Sequence, residues 1–291
     1  MTLQHNMTEI PQQIRNILDA NNIDLINRLE ACSTTPLIDP KNFSFNITRM
    51  SFRPDQEIIV IRDDFICGGG KSRYGYDFIK SQVLKGYREF VYISPWYGAA
   101  QIALPWILDV LKTEFTTFTL QATIIIDSYP LTILGELPSY TKIGMKYGAK
   151  IIQVPNDQDK LNFAEEYIKQ NNAILIKPGF DYPEVINNIA TVANFIKNNF
   201  DTFDECWCAV GSGTLIRGLQ QGNVAKNYFG VCIFKYCPDI GNAEGIIHHD
   251  EHNTPVNSEL APPFRSARFY DSKVWQYAKN RPGKILLWNV A

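Results

Sequence analysis

The chain lacks a dominant charge: 28 Lys and Arg stand against 30 Asp and Glu, for a net charge of −2. That balance supplies no field for steering nucleic acid or an anionic membrane surface. Long apolar runs are missing too, none approaching the roughly 20 residues of a membrane helix. The opening MTLQHNMTEI has no charged-then-apolar leader pattern. The six cysteines (Cys32, Cys67, Cys206, Cys208, Cys232 and Cys237) are scattered, with no C-x-x-C pair among them. These absences exclude a secreted disulfide scaffold and a basic nucleic-acid binder, and they favour a reducing cytoplasm. What is present is a globular composition: 291 residues, 45% hydrophobic and 20% charged. That suffices for one large domain or two ordinary ones.

From about residue 58 the chain alternates short β-branched runs with helix-length amphipathic stretches. The runs are IIVI (58–61), FVYIS (90–94), ATIIID (122–127), KIIQVP (150–155), AILIKP (173–178), ECWCAVG (205–211) and FGVCIF (229–234). Near-continuous apolar runs separated by helices predict buried strands of a largely parallel α/β sheet. Val192, Phe195, Ile196 and Phe200 repeat at helical spacing, as do Ile14, Ile17 and Leu18, and Leu25, Ile26 and Leu29. Seven or more strands predict two α/β lobes with a cleft between them. The stretch 235–268 reads as a long irregular loop region.

Two segments carry the candidate chemistry. In IVIRDDFICGGGKSRYGYDF (59–78), a strand passes through a charged turn and three glycines to Lys71, where a helix starts. Glycines let the backbone approach a ligand closely and adopt positive φ. A phosphate-binding P-loop would need a glycine at 65, where Phe65 stands, so Gly70-Lys71-Ser72 supplies only the motif's second half. In CAVGSGTLIRGLQQG (208–222), a strand ends, Gly211-Ser212-Gly213-Thr214 turns, and a helix follows. Backbone N–H groups at that helix start, with two small hydroxyls, form a phosphate cradle. A dinucleotide fingerprint fails there, because Ile216 occupies the third glycine position. A phosphate cradle together with a glycine-flanked lysine points to a phosphorylated aldehyde cofactor held as a Schiff base.

The pattern resembles the fold-type II pyridoxal-phosphate (PLP) enzymes, the tryptophan-synthase-β-like superfamily. Within it, the chain is similar to the branch of 1-aminocyclopropane-1-carboxylate (ACC) deaminase and D-cysteine desulfhydrase. Ile61-Arg62-Asp63-Asp64 and Gly69-Gly70-Lys71-Ser72-Arg73 resemble that branch's R-D-D and G-G-N-K-x-R segments. Tyr147-Gly148-Ala149-Lys150, Lys177-Pro178-Gly179, the loop Gly211 to Thr214, Phe269-Tyr270-Asp271-Ser272-Lys273 and GKILLWN (283–289) follow in family order.

The resemblance implies a two-lobed α/β architecture with mostly parallel sheets and helices on both faces. The large lobe would comprise 1–84 and 166–291, the small lobe 85–165, in a homodimer. It also implies that Lys71 holds PLP and acts as general base, while Gly211, Ser212, Gly213 and Thr214 bind the phosphate. Asp271 would face the pyridine nitrogen, and Tyr270 would lie by the substrate. The implied activity is that of a deaminase or lyase on an amino acid or related amine.

Departures fall on the substrate side. The family's Ser-Asn-His/Gln turn reads Ser94-Pro95-Trp96-Tyr97-Gly98-Ala99-Ala100-Gln101 here, which leaves Ser94, Tyr97, Gly98 and Gln101 as candidates. The family's terminal Thr-Gly-Gly is replaced by Asn289-Val290-Ala291. A catalytically altered protein that binds PLP or an amino acid is therefore one alternative, and a P-loop-type nucleotide binder another. His248, His249 and His252 with Asp250 and Glu251 lack a metal-ligand spacing, so no metal is expected. Cys206 and Cys208 alternate on a strand as buried small hydrophobes.

Overall fold

Two sheets organise the chain in a computed structural model that describes residues 46–127, 137–155, 159–248 and 254–291. The first has six strands in the order β1 (Ile47–Met50), β2 (Gln56–Arg62), β10 (Gly283–Asn289), β7 (Phe203–Val210), β8 (Ala225–Cys232) and β9 (Glu244–Ile247). Only β1 runs antiparallel to its neighbour. The second sheet is parallel throughout, ordered β5 (Lys150–Val154), β4 (Gln121–Asp127), β3 (Glu89–Ser94) and β6 (Ile174–Ile176). The expected α/β class with mostly parallel sheets is therefore observed. Strands for the second sheet come from as far along the chain as Ile176.

The apolar runs are continuous because both faces of these strands are covered. Ile59 and Ile61 of β2 pack inward with Phe78, Phe90, Ile124, Ile189 and Leu286 in one core shared by both sheets. That core takes in α1 (Gly70–Leu84), α2 (Ala100–Glu114) and α5 (Pro183–Phe200). Ile58 and Val60 point the other way, against Trp207, Leu287 and Val274, the last on α7 (Ser272–Ala278). On the outer face of the second sheet, Val91 and Ile125 meet Ala164 of α4 (Lys160–Asn171). Helix ends follow local chemistry. The Asp159 carboxylate accepts from the N–H groups of Leu161 and Asn162, capping α4. Pro183 opens α5 where its missing N–H has no helical partner to lose.

Two expectations are corrected. The region 235–268 is not one loop, because Glu244–Ile247 add to the sheet edge as β9 and Ser258–Leu260 form a 3₁₀ turn. A four-residue edge strand is too short to declare itself by alternation. The cysteines are also not all thiols. The chain turns back after β8, bringing the Cα atoms of Cys232 and Cys237 to 5.3 Å in a disulfide, while Cys67, Cys206 and Cys208 are free and buried. The helical patterns at 14–18 and 25–29 lie outside the described residues, as do His249 to His252. Among the described residues no helix is long and apolar enough to cross a membrane.

Candidate active site

Lys71 is placed by a loop that only glycine can make. After β2 the chain runs through a 3₁₀ turn, Asp63–Phe65, to Gly69, whose φ is 69°. A Cβ on Gly69 would lie 1.9 Å from the Val290 carbonyl oxygen, so any other residue there would displace the segment after β10. Helix α1 starts one residue later, and Gly70 N donates to Val290 O at 3.0 Å. Lys71, in the first turn of α1, is partly exposed. Burial nevertheless lowers its ammonium pKa below the usual 10.5, an effect partly opposed by the Asp271 carboxylate. The amine is thereby biased toward its neutral, nucleophilic form.

A buried polar network supports this loop. Arg62 grips Asp64 with both Nε and Nη2, at 2.7 and 2.8 Å. Asn289 Nδ2 donates to the same carboxylate at 2.7 Å and to the Arg265 carbonyl at 3.0 Å. Asp63 accepts from Arg73 Nε at 3.0 Å, the Tyr74 hydroxyl at 3.0 Å and Trp288 Nε1 at 2.9 Å. The Arg-Asp-Asp run therefore braces the lysine loop from behind, with each carboxylate supplied with donors, as buried charge requires.

Asp271 stands opposite. Its Oδ2 accepts from Ala291 N at 3.0 Å, while its buried Oδ1 has no protein partner. Burial pushes its carboxyl up to about 8; backbone donors at Val290 and Ala291 and the Lys71 charge pull the other way. The preceding residue, Tyr270, brings its hydroxyl against Gly211, with Cys208 and Tyr92 nearby. Burial and the neighbouring Asp271 raise the phenol far above 10, so its O–H remains a donor.

Gly211, Ser212, Gly213 and Thr214 form the turn between β7 and α6 (Thr214–Gln221). Gly213 has φ 83°, and a Cβ there would sit 2.0 Å from the Asp239 carbonyl oxygen. The Ser212 and Thr214 hydroxyls lie 2.9 Å apart at the start of α6. Arg217, one turn further, is engaged by Asp181 at 2.5 Å and Asp239 at 3.5 Å. An anion at this turn would be met by backbone N–H groups and the two hydroxyls.

The residues suit a phosphorylated pyridine aldehyde. They offer an amine with a lowered pKa, an orphaned buried carboxyl oxygen and a glycine-hydroxyl turn at a helix start. Among the described residues no group of three or more His, Cys, Asp and Glu side chains is arranged for a metal.

Of the substrate-side candidates, Ser94 and Gln101 are buried and turned inward. Ser94 Oγ donates to Pro95 O at 3.0 Å, and Gln101 Nε2 donates to the same oxygen at 2.8 Å. Gln101 Oε1 accepts from Thr141 Oγ1 at 2.8 Å. Gly98 has no room for a side chain, since a Cβ would meet Ser94 Oγ at 2.4 Å. Tyr97 instead stacks on Phe269, centroids 5.2 Å apart, with Trp96 edge-on to both. The sequence reading did not nominate Phe269, Asn289, Trp288 or the backbone of Val290 and Ala291. They lay in segments that follow the family order, with Asn289-Val290-Ala291 in place of its terminal Thr-Gly-Gly, but no residue type there marked a role.

No family model matches the chain, and no curated protein matches it by sequence. Solved structures do match. A crystal structure of an ACC deaminase homologue superposes with a TM-score of 0.66 at 14% identity, covering 90% of this chain and 93% of that one. A hydrogen sulfide-producing enzyme from Fusobacterium nucleatum gives 0.63 at 12% identity, over 85% and 93%. A PLP-dependent aspartate racemase gives 0.52 at 14%, over 72% of this chain and 61% of that one. The chain has the fold of the fold-type II PLP enzymes.

Proposed function

We propose that this protein is a PLP-dependent enzyme of deaminase or lyase type, acting on an amino acid or related amine through Lys71. The observation that carries the reading is the buried Asp271 carboxyl, whose inner oxygen is left without a protein partner and whose charge bears on Lys71. The shared fold with deaminases and racemases supports it. When bound, PLP supplies an electron sink for the carbon that bears the substrate amine.

The chain's own residues divide the remaining work. Lys71 Nζ would hold the cofactor, and the same amine would move the proton at that carbon. Asp271 Oδ1 would face the ring nitrogen, and Gly211, Ser212, Gly213 and Thr214 would hold the phosphate. Tyr270, kept protonated by burial, donates to a substrate atom beside the phosphate turn. A homodimer, a cytoplasmic setting, and lobes at 1–84 with 166–291 and at 85–165 belong to the same proposal.

A second reading, a PLP- or amino-acid-binding protein without turnover, is favoured by the inward engagement of Ser94 and Gln101. One experiment addresses both. The purified protein is given PLP, its absorption recorded, and the adduct fixed with borohydride and mapped. A visible band fixed on Lys71, with release of a 2-oxo acid from an amino acid, or of an aldehyde or ketone from an amine, supports the enzyme. The band without any turnover supports the binding protein. No band and no modified lysine overturns the enzyme and any PLP-binding form of the second reading.

A further inference from the structure

The turn between β3 and α2 borders the lysine loop. A Cβ on Gly68 would meet the Ala103 backbone at 2.4 Å, so the start of α2 lies against the segment leading to Lys71. On the other flank is Phe269, joined directly to Tyr270 at the phosphate turn. Two polar side chains of this turn are engaged by the chain itself: Ser94 is 1% exposed and Gln101 0%, and both donate to Pro95 O. Freeing Gln101 would cost the Thr141 hydroxyl and the Pro95 carbonyl one partner each.

What the turn does present is aromatic. Trp96 and Tyr97 are half-buried, so part of each ring remains open. Phe269 holds them through one parallel stack at 5.2 Å and one edge contact at 5.8 Å. The Asp127 carboxylate bears on Tyr97 and, with burial, raises its phenol pKa. Asp127 is itself ion-paired with Lys160, so it leaves no lone charge beside this wall, and what the rings offer is apolar aromatic surface.

We propose that Trp96, Tyr97 and Phe269 form the specificity surface of the site. They would select an amine bearing an aromatic or similarly bulky apolar group, recognised through that group and not through an α-carboxylate. The inference rests on the PLP reading above and deepens it. Aromatic pairs gain energy beyond simple burial, and truncating one ring of such a surface weakens binding by about tenfold.

The test is calorimetric titration of the PLP-loaded protein with 2-phenylethylamine, phenylalanine, serine and ACC. The expected result is that 2-phenylethylamine and phenylalanine bind within a few-fold of each other and at least about tenfold tighter than serine or ACC. Trp96→Ala and Phe269→Leu lower the affinity for 2-phenylethylamine about tenfold and leave serine unchanged, while Trp96→Phe retains most of the binding. Melting curves confirm that each variant is folded. Serine or ACC binding as tightly as 2-phenylethylamine, or folded variants with unaltered preference, overturns the inference. Borohydride labelling of the same samples separates the failures. A labelled Lys71 without aromatic preference sinks only this proposal, and an unlabelled Lys71 sinks the cofactor reading with it.

Discussion

Ala291 N donates to Oδ2 of Asp271 at 3.0 Å, holding one carboxyl oxygen on the backbone and leaving Oδ1 buried and unpartnered. An acid arranged this way has one oxygen to orient it and one to offer.

The first prediction concerns its proton. Asp271 titrates near 8 in the folded chain and at its ordinary 3.8 when unfolded. Below about pH 4 both states carry the proton. Between there and about pH 8 only the unfolded chain releases it, so the folded state loses stability as pH rises through that window. The lowered pKa of Lys71 acts in the opposite sense and toward higher pH, where the unfolded chain gives up its extra proton. Melting curves of cofactor-free protein should fall between pH 5 and 8, and Asp271→Asn should flatten that fall.

Removing the amine tests the anchor. Lys71→Ala should leave a folded protein with no borohydride-fixable adduct, and any turnover should fall by at least about 10²-fold, the contribution of one positioned general base. Absorption spectra and product assays read both.

Asn289 lies behind the site and touches neither Lys71 nor Asp271 in any described hydrogen bond. Asn289→Leu removes a donor from Asp64 and from the Arg265 carbonyl. The expected cost is roughly 2–3 kcal/mol, in the range for stripping donors from buried acceptors, one of them charged. Denaturant unfolding measures it. Trp288→Phe, which takes one of three donors from Asp63, should cost less.

Gly213→Ala places a Cβ 2.0 Å from the Asp239 carbonyl at a backbone angle of φ 83°. The turn must open, and the affinity for PLP should fall by about tenfold or more even if the protein stays folded, since this strain alone is of order 1–3 kcal/mol. Titration of apo protein with PLP, followed by absorption, checks it. Arg217→Ala, one turn along and paired with Asp181 and Asp239, should change that affinity far less.

Much of the fold was legible because parallel strands buried on both faces leave continuous apolar runs. IIVI, FVYIS and ATIIID all became interior strands. The second sheet's edges, in KIIQVP and AILIKP, were read from their apolar runs, but ITRM and EGII were missed: each is an edge strand of the first sheet with partly exposed residues on both faces. Lys71 and the 211–214 turn were legible because glycine marks backbone conformations that few other residues adopt. Ser94 and Gln101 were nominated as substrate contacts on residue type alone. Whether an amide faces a cleft or a carbonyl behind it depends on tertiary neighbours, here Pro95 and Thr141, which no local pattern encodes. The support that Asn289 and Trp288 give to Asp64 and Asp63 joins residues 225 positions apart, beyond any spacing rule.

The position of β10 between β2 and β7 also bears on the order of assembly. Residues 283–289 emerge from the ribosome long after 56–62 and 203–210, yet they form the seam that joins the two halves of the larger sheet. Until that seam closes, β2 has only β1 beside it, and Gly70 lacks the carbonyl that fixes the start of its helix. The lysine loop and the acid opposite it are thus completed in a single late event. A nascent or C-terminally clipped chain would carry all the nominated side chains and still have no site for the cofactor, so cofactor capture would report on completed folding.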